Sequence, residues 1–136
     1  MATTEERNTS EKASAFSQRV ENMGGLGDAK INKGAIVVLD SNGKIVPAGD
    51  NAGERPLGRA EETVAAVADR PANVTTVKVR SGVFLLNGTV SGPTCVLVDD
   101  ETVANSGTAD FELLVVENLG AKGAYVKIDP LNNAAS

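Results

Sequence analysis

The amino-acid sequence predicts an all-β protein: a compact β-barrel or sandwich of about seven to eight short strands, preceded by a flexible N-terminal arm. Three observations predict it. Short Val-rich runs recur between Gly, Asn, Asp and Pro, and apolar runs punctuated in this way mark strands. Asn-Gly pairs stand at Asn42-Gly43 and Asn87-Gly88, where both residues tolerate the positive φ of a tight turn. Apolar and charged residues alternate in Val77-Lys78-Val79-Arg80 and in Tyr125-Val126-Lys127-Ile128, the period of a strand with one face on a core.

Residues 1–27 read as the arm and 28–136 as the β-rich domain. The first 22 residues are polar, rich in Thr, Ser, Glu and Asn, and too poor in apolar side chains to build a core. Phe16, Val20 and Met23 are the exceptions. Spaced four and then three residues apart, they would share one face of a short helix over 10–22. So short a helix is marginal in water without a partner. The arm is expected either to stay solvated or to take up order on a partner, with Phe16, Val20 and Met23 as its candidate contacts. Met23-Gly24-Gly25-Leu26-Gly27 supplies a flexible joint.

Ala35-Ile36-Val37-Val38-Leu39 is the entry strand of the domain. Ser41-Asn42-Gly43-Lys44 turns the chain, and Ile45-Val46-Pro47-Ala48 returns it. Pro47 lacks an amide donor, which places this strand at an edge or ends it there. A polar loop covers 49–56. Leu57-Gly58-Arg59-Ala60 resumes extended structure, and 61–68 suits either more strand or a turn or two of helix. Val77 and Val79 face inward. Ser81-Gly82 permits a bend or bulge, and Val83-Phe84-Leu85-Leu86 runs on to the second Asn-Gly. Residues 94–98 make another strand, closed by Asp99-Asp100-Glu101. Residues 111–116 form an apolar strand with more surface than one small core can hide. Residues 124–129 alternate again, and 132–136 are expected to fray.

Lys and Arg number 13 against 18 Asp and Glu, a net charge of -5, and the sequence shows no local basic stripe. Such a chain repels phosphate backbones, and with aromatic residues at 3% it lacks stacking platforms. Nucleic acid is not expected as a partner. No apolar run approaches the roughly 18 residues of a membrane span. The N-terminus lacks the basic start and apolar stretch of a secretory signal, which points to synthesis in the cytoplasm and, if export occurs, to departure within a larger assembly.

The composition also argues against catalysis. There is no histidine, the commonest general base and metal ligand. The single cysteine, Cys95, lies in an apolar run and reads as a buried, inert thiol; one cysteine makes neither an internal disulfide nor a thiolate zinc site. No nucleophile elbow, phosphate loop or dinucleotide fingerprint is present. Asp99-Asp100-Glu101 offers carboxylates to calcium, but consecutive side chains diverge and no spaced ligand set follows, so a solvated turn is the better reading. Glu61-Glu62 lacks an accompanying pocket. Lys44 sits at a hairpin tip, as a modified carrier lysine would, yet its neighbours do not match such a motif. The expected enzyme activity, cofactors and metals are none.

The order of the motifs resembles the capsid cement, or head decoration, proteins of tailed bacteriophages. Lys33-Gly34-Ala35-Ile36-Val37-Val38-Leu39 leads to Gly43-Lys44-Ile45-Val46-Pro47-Ala48 and Pro56-Leu57-Gly58-Arg59-Ala60, followed by Val77-Lys78-Val79-Arg80-Ser81-Gly82-Val83-Phe84. The likeness covers roughly residues 31–88, and these motifs mark turns and core positions, not chemistry. The resemblance implies a β-barrel-like fold and a homotrimer bound to the major capsid protein at local three-fold positions of an icosahedral head. It implies an arm that orders on the capsid, and hence a place on the outer surface of the virion. The long arm departs from the family's pattern. Two other readings compete: a different virion component, such as a head fibre base, tail or adhesin protein, and a small ligand-binding β-domain. The second is poorly supplied, with one Tyr, three Phe and no Trp to wall a pocket.

Overall fold

The computed structural model describes residues 16–20, 25–109 and 111–128. Among them nine strands form: β1 Phe16–Val20, β2 Ile36–Leu39, β3 Ile45–Pro47, β4 Arg55–Ala60, β5 Val77–Leu86, β6 Thr94–Leu97, β7 Val103–Ala104, β8 Leu113–Asn118 and β9 Ala124–Ile128. They make one curled sheet, a half-barrel, in the order β3-β2-β4-β5-β9-β8-β6-β7, with β1 paired to β5 off that path. Every strand pair is antiparallel. Among the described residues helix is confined to two single 3₁₀ turns, Val67–Asp69 and Gly120–Lys122. The all-β class read from the sequence is the class observed.

The first hairpin forms at the expected place, with its glycine in the expected conformation. The Asp40 carboxylate accepts the amides of Asn42 and Lys44, both at 2.9 Å, and Gly43 takes a φ of 79°. Pro47 ends β3, and β3 lies at the edge of the sheet.

Two apolar clusters sit on opposite faces of the sheet. Ile36, Val38, Phe84, Leu86, Leu113, Val126 and Ile128 belong to the larger one. Ile31, Val37, Ile45, Val64, Val77 and Val79 belong to the smaller. β2 therefore buries both faces, which explains why its sequence is a continuous apolar run and not an alternation. Each fully buried Ile or Val stabilises by about 1.5–3 kcal/mol. The loop of residues 61–76 covers the smaller cluster, tied down where Ile31 and Val64 exchange backbone hydrogen bonds at 2.8 Å. Arg70 reinforces it, donating from Nε to the Ala65 carbonyl and from Nη2 to the Gly27 carbonyl, both at 3.0 Å.

β5 is the hub. Its odd positions Val77 and Val79 face the smaller cluster, and its even positions Phe84 and Leu86 face the larger. The strand keeps strict alternation while the covered face changes. Ser81-Gly82 does not break the strand; it marks where β5 exchanges the partners β1 and β4 for β9. The half-barrel is clasped by residues 99–103. The Asp100 carbonyl accepts the Ile36 amide at 2.8 Å, the Glu101 carbonyl accepts the Asn87 amide at 2.8 Å, and Asn87 in turn accepts from the Val103 amide at 2.9 Å.

Three differences from the sequence reading follow. Phe16–Val20 is a strand, not part of a helix, in register from Phe16 opposite Ser81 to Val20 opposite Val77. A spacing of four returns a residue to the same face in a helix and in a strand, so Phe16 and Val20 alone did not discriminate. Asn87-Gly88 ends β5 without making a hairpin, because β6 pairs with β7 and β8. Gly88, with φ 112°, lies where a Cβ would collide with the Val103 backbone, so its glycine serves close approach and not a two-residue turn. Finally, Gly25 and Gly27 are hydrogen-bonded to Ile45 at 3.0 and 2.9 Å, so this part of the supposed joint belongs to the folded body. Met23 and residues 132–136 lie outside the described residues.

Candidate functional site

Carboxylates hold turns and loops: Glu54 and Asp50, which the sequence did not single out, and Asp99, Glu61 and Glu62, which it did. Glu54, nearly buried, accepts the Gly49 amide and the Asn51 side-chain amide, each at 3.0 Å. Asp50 Oδ1 accepts the amides of Thr108 and Ala109 at 2.6 and 3.1 Å, pinning two loops that are distant in sequence. Asp99 Oδ1 accepts the Glu101 amide at 2.9 Å, the local turn expected for that acidic triplet. Glu61 Oε2 pairs with Arg59 at 2.9 Å, and Glu62 Oε2 accepts the Lys78 amide at 2.9 Å. Among the described residues no three metal-ligating side chains cluster.

Cys95 lies in β6 within the larger cluster, and burial pushes its thiol up from 9.0 to about 11. A thiol so raised is protonated and poorly nucleophilic at neutral pH. The hairpin and the 49–54 loop enclose an open depression of about 640 Å³, lined by Asp40, Ser41, Val46, Pro47 and Glu54 among others. Asp40 and Glu54 are already engaged there in the turn and loop contacts described above.

The feature with the clearest outward purpose is apolar. Leu85, Leu114, Val116 and Tyr125 are exposed by 51%, 48%, 54% and 36% on the outer side of β5, β8 and β9, against an interior that buries Leu113, Val126 and Ile128 completely. Register brings them together. Leu85 stands opposite Tyr125, and Leu114 stands opposite Lys127 on the same strand as Tyr125. Val116, two residues beyond Leu114, faces solvent with it by the ordinary alternation of a strand, and an irregularity in β8 between Val115 and Glu117 then brings Glu117 opposite Tyr125. The result is a three-stranded face on which these four apolar side chains gather around Glu117, opposite Tyr125, and Lys127, opposite Leu114. The surplus apolar surface of residues 111–116 was visible in the sequence. Leu85 and Tyr125 were not, because only the register across β5 and β9 shows that they meet.

Of the candidate contact residues, Phe16 and Val20 lie in β1, at positions that share a sheet face with Ser81 and Val77 by register. The structure also assembles what no linear stretch displays, a row of cations: Arg59 of β4 stands directly opposite Arg80 of β5. Comparison of the chain with family models, curated proteins and solved structures finds no match.

Proposed function

We propose that this chain is a viral capsid decoration protein, a cement that binds the outer surface of an icosahedral head and holds it against the pressure of packaged DNA. The observation that carries the reading is the exposed apolar face of Leu85, Leu114, Val116 and Tyr125. Large apolar side chains gathered on one exposed sheet face, here with Glu117 and Lys127 among them, mark a surface of mixed character that another protein covers. The order of motifs along residues 31–88 supplies the kind of assembly.

In this reading the face joins copies of the chain into a homotrimer, and each copy adds a further contact to the major capsid protein. Linking three weak contacts raises overall binding through effective concentration, so no single contact needs high affinity. The work asked of the protein is mechanical, and it uses no cofactor, metal or catalytic residue. Synthesis takes place in the host cytoplasm and function on the virion exterior.

The test combines light scattering with co-sedimentation on undecorated heads of the virus that encodes the chain. The expected result is a trimer mass and protein in the capsid pellet, with Leu114→Glu and Val116→Glu together giving a monomer that pellets poorly. A chain that is monomeric both free and on capsids ends the trimer. A folded chain that never pellets with heads ends the decoration role.

A further inference from the structure

The opposite face of β5 carries charge where the chain can least favourably place it. Arg80 stands across from Arg59 on one side, and on the other flank of β5 Lys78 stands across from Arg19. Arg59 and Arg80 therefore make a cross-strand pair of like charge beside the exposed Lys78, in a chain of net charge -5. Like charges directly opposite destabilise a sheet, so the free protein is less stable for carrying them. Nearby carboxylates leave an excess. Glu61 is taken by Arg59 at 2.9 Å, and Glu62 accepts the Lys78 backbone amide at 2.9 Å. Lys78 and Arg80 are exposed, and among the described residues neither side chain has a salt-bridge partner. Beside Arg59 the surface dips into an open depression of about 410 Å³ lined by Lys33, Gly34, Arg59, Ala60 and Glu61.

We infer that this face docks an extended, acidic segment of a partner protein. Alternate residues of a strand lie roughly 6.6 Å apart, so Lys78 and Arg80 repeat at the spacing of carboxylates on alternate residues of an extended chain. Arg80 offers the planar fork that grips a carboxylate through two hydrogen bonds, while Lys78 acts as a point charge. A further acidic side chain of the same segment enters the depression between Lys33 and Arg59. A nucleic-acid strand suits the face less well. Phe84, which Arg59 covers, is buried and offers bases no platform. The inference stands apart from the decoration reading, because it concerns charge at β4 and β5 and holds whatever larger body supplies the acidic segment.

The experiment is fluorescence anisotropy of the full chain with a labelled peptide of alternating Glu and Thr. Binding is expected at about 20 mM salt and is expected to weaken at least roughly tenfold at about 200 mM, as charges on an open surface are screened. Lys78→Gln with Arg80→Gln should weaken it by about tenfold or more, whereas Lys44→Gln with Lys122→Gln, exposed cations elsewhere, should not. Arg80→Thr should bind less tightly yet melt about 1–3 °C higher, since it relieves the Arg59 repulsion; a residue kept for structure alone would move stability the other way. The inference is overturned if the acidic peptide does not bind at low salt, or binds the double variant equally. Tighter binding of an oligothymidylate of equal charge would transfer the face to phosphate. Loss of self-association in the double variant, without peptide binding by the parent, would make it a copy-to-copy contact instead.

Discussion

The Arg59 guanidinium carbon lies 4.7 Å from the centroid of the Phe84 ring, so a charged side chain roofs the rim of the larger core. Phe84 is only 8% exposed. Arg59 is held over it by Glu61, which accepts from Nε at 3.1 Å and Nη2 at 2.9 Å.

This arrangement predicts an asymmetry. Arg59→Ala removes both the cation over the ring and the aliphatic stem that shields it, and should cost about 1–2 kcal/mol. Glu61→Gln removes a partly exposed ion pair and should cost less than about 0.5 kcal/mol. Urea unfolding of the two variants and their double mutant measures both. Equal losses would show that the ion pair, not the ring contact, holds the rim.

A second prediction concerns the loop clasp. Asp50→Ala leaves the Thr108 and Ala109 amides without their acceptor. Solvent reaches this site, so the expected loss is about 1 kcal/mol and not the full cost of a buried orphan. Amide exchange at Thr108 and Ala109 should accelerate well beyond that of the Leu113 amide. Unchanged exchange at those two amides would show that Asp50 does not hold the loop.

The strands carrying strict alternation or a continuous apolar run were legible because those patterns report on burial directly. Val77-Lys78-Val79-Arg80 told which residues face in, and the apolar run Ile36-Val37-Val38 told of a strand, which the structure buries on both sides. Pairing was less legible. Asn87-Gly88 carries the signal of a hairpin, yet the glycine there answers to Val103, which lies 15 residues further along the chain. The apolar face and the cationic row were hidden for the same reason. Leu85 and Tyr125, or Arg59 and Arg80, become neighbours only through register, and register is decided by packing across the whole sheet.

Cys95 gives a pH-dependent prediction with a definite sign. Its thiol is raised by burial from 9.0 to about 11, so between these values the unfolded chain loses a proton that the folded chain keeps. The unfolded state then binds fewer protons, and stability falls as pH rises, by up to about 1.4 kcal/mol per pH unit from this group. Below pH 9.0 the contribution is constant. Cys95→Ala should be less stable at neutral pH through lost packing, but its stability should decline less steeply across the alkaline window. Parallel curves for the two proteins would refute the linkage. A thiol reagent at about pH 8 should label the native protein only as fast as it unfolds.

The last prediction concerns β1. Residues 1–22 carry acidic Glu5, Glu6, Glu11 and Glu21 against basic Arg7, Lys12 and Arg19, so long-range attraction is not what the segment supplies. Within it Phe16–Val20 pairs only with the first half of β5, whose residues 79 and 80 also pair with β4. Among the described side chains both core clusters draw on residues from Leu26 onward, and the sheet order from β3 to β7 is expected to survive without β1. Deleting residues 1–22 exchanges one short ladder for water, a net loss of about 1–3 kcal/mol. The truncated chain should therefore still unfold cooperatively, a few degrees lower. Under the proposed function it should retain self-association and lose at least tenfold in capsid binding, about 1.4 kcal/mol. Phe16→Ala with Val20→Ala should reproduce most of that loss, while Glu5→Ala with Glu6→Ala should not. Melting curves and capsid co-sedimentation decide between the outcomes. Full capsid binding by the truncated chain removes the arm from the contact. A truncated chain that fails to fold makes β1 part of the core, and the contact must then be sought on the Leu114 and Tyr125 face.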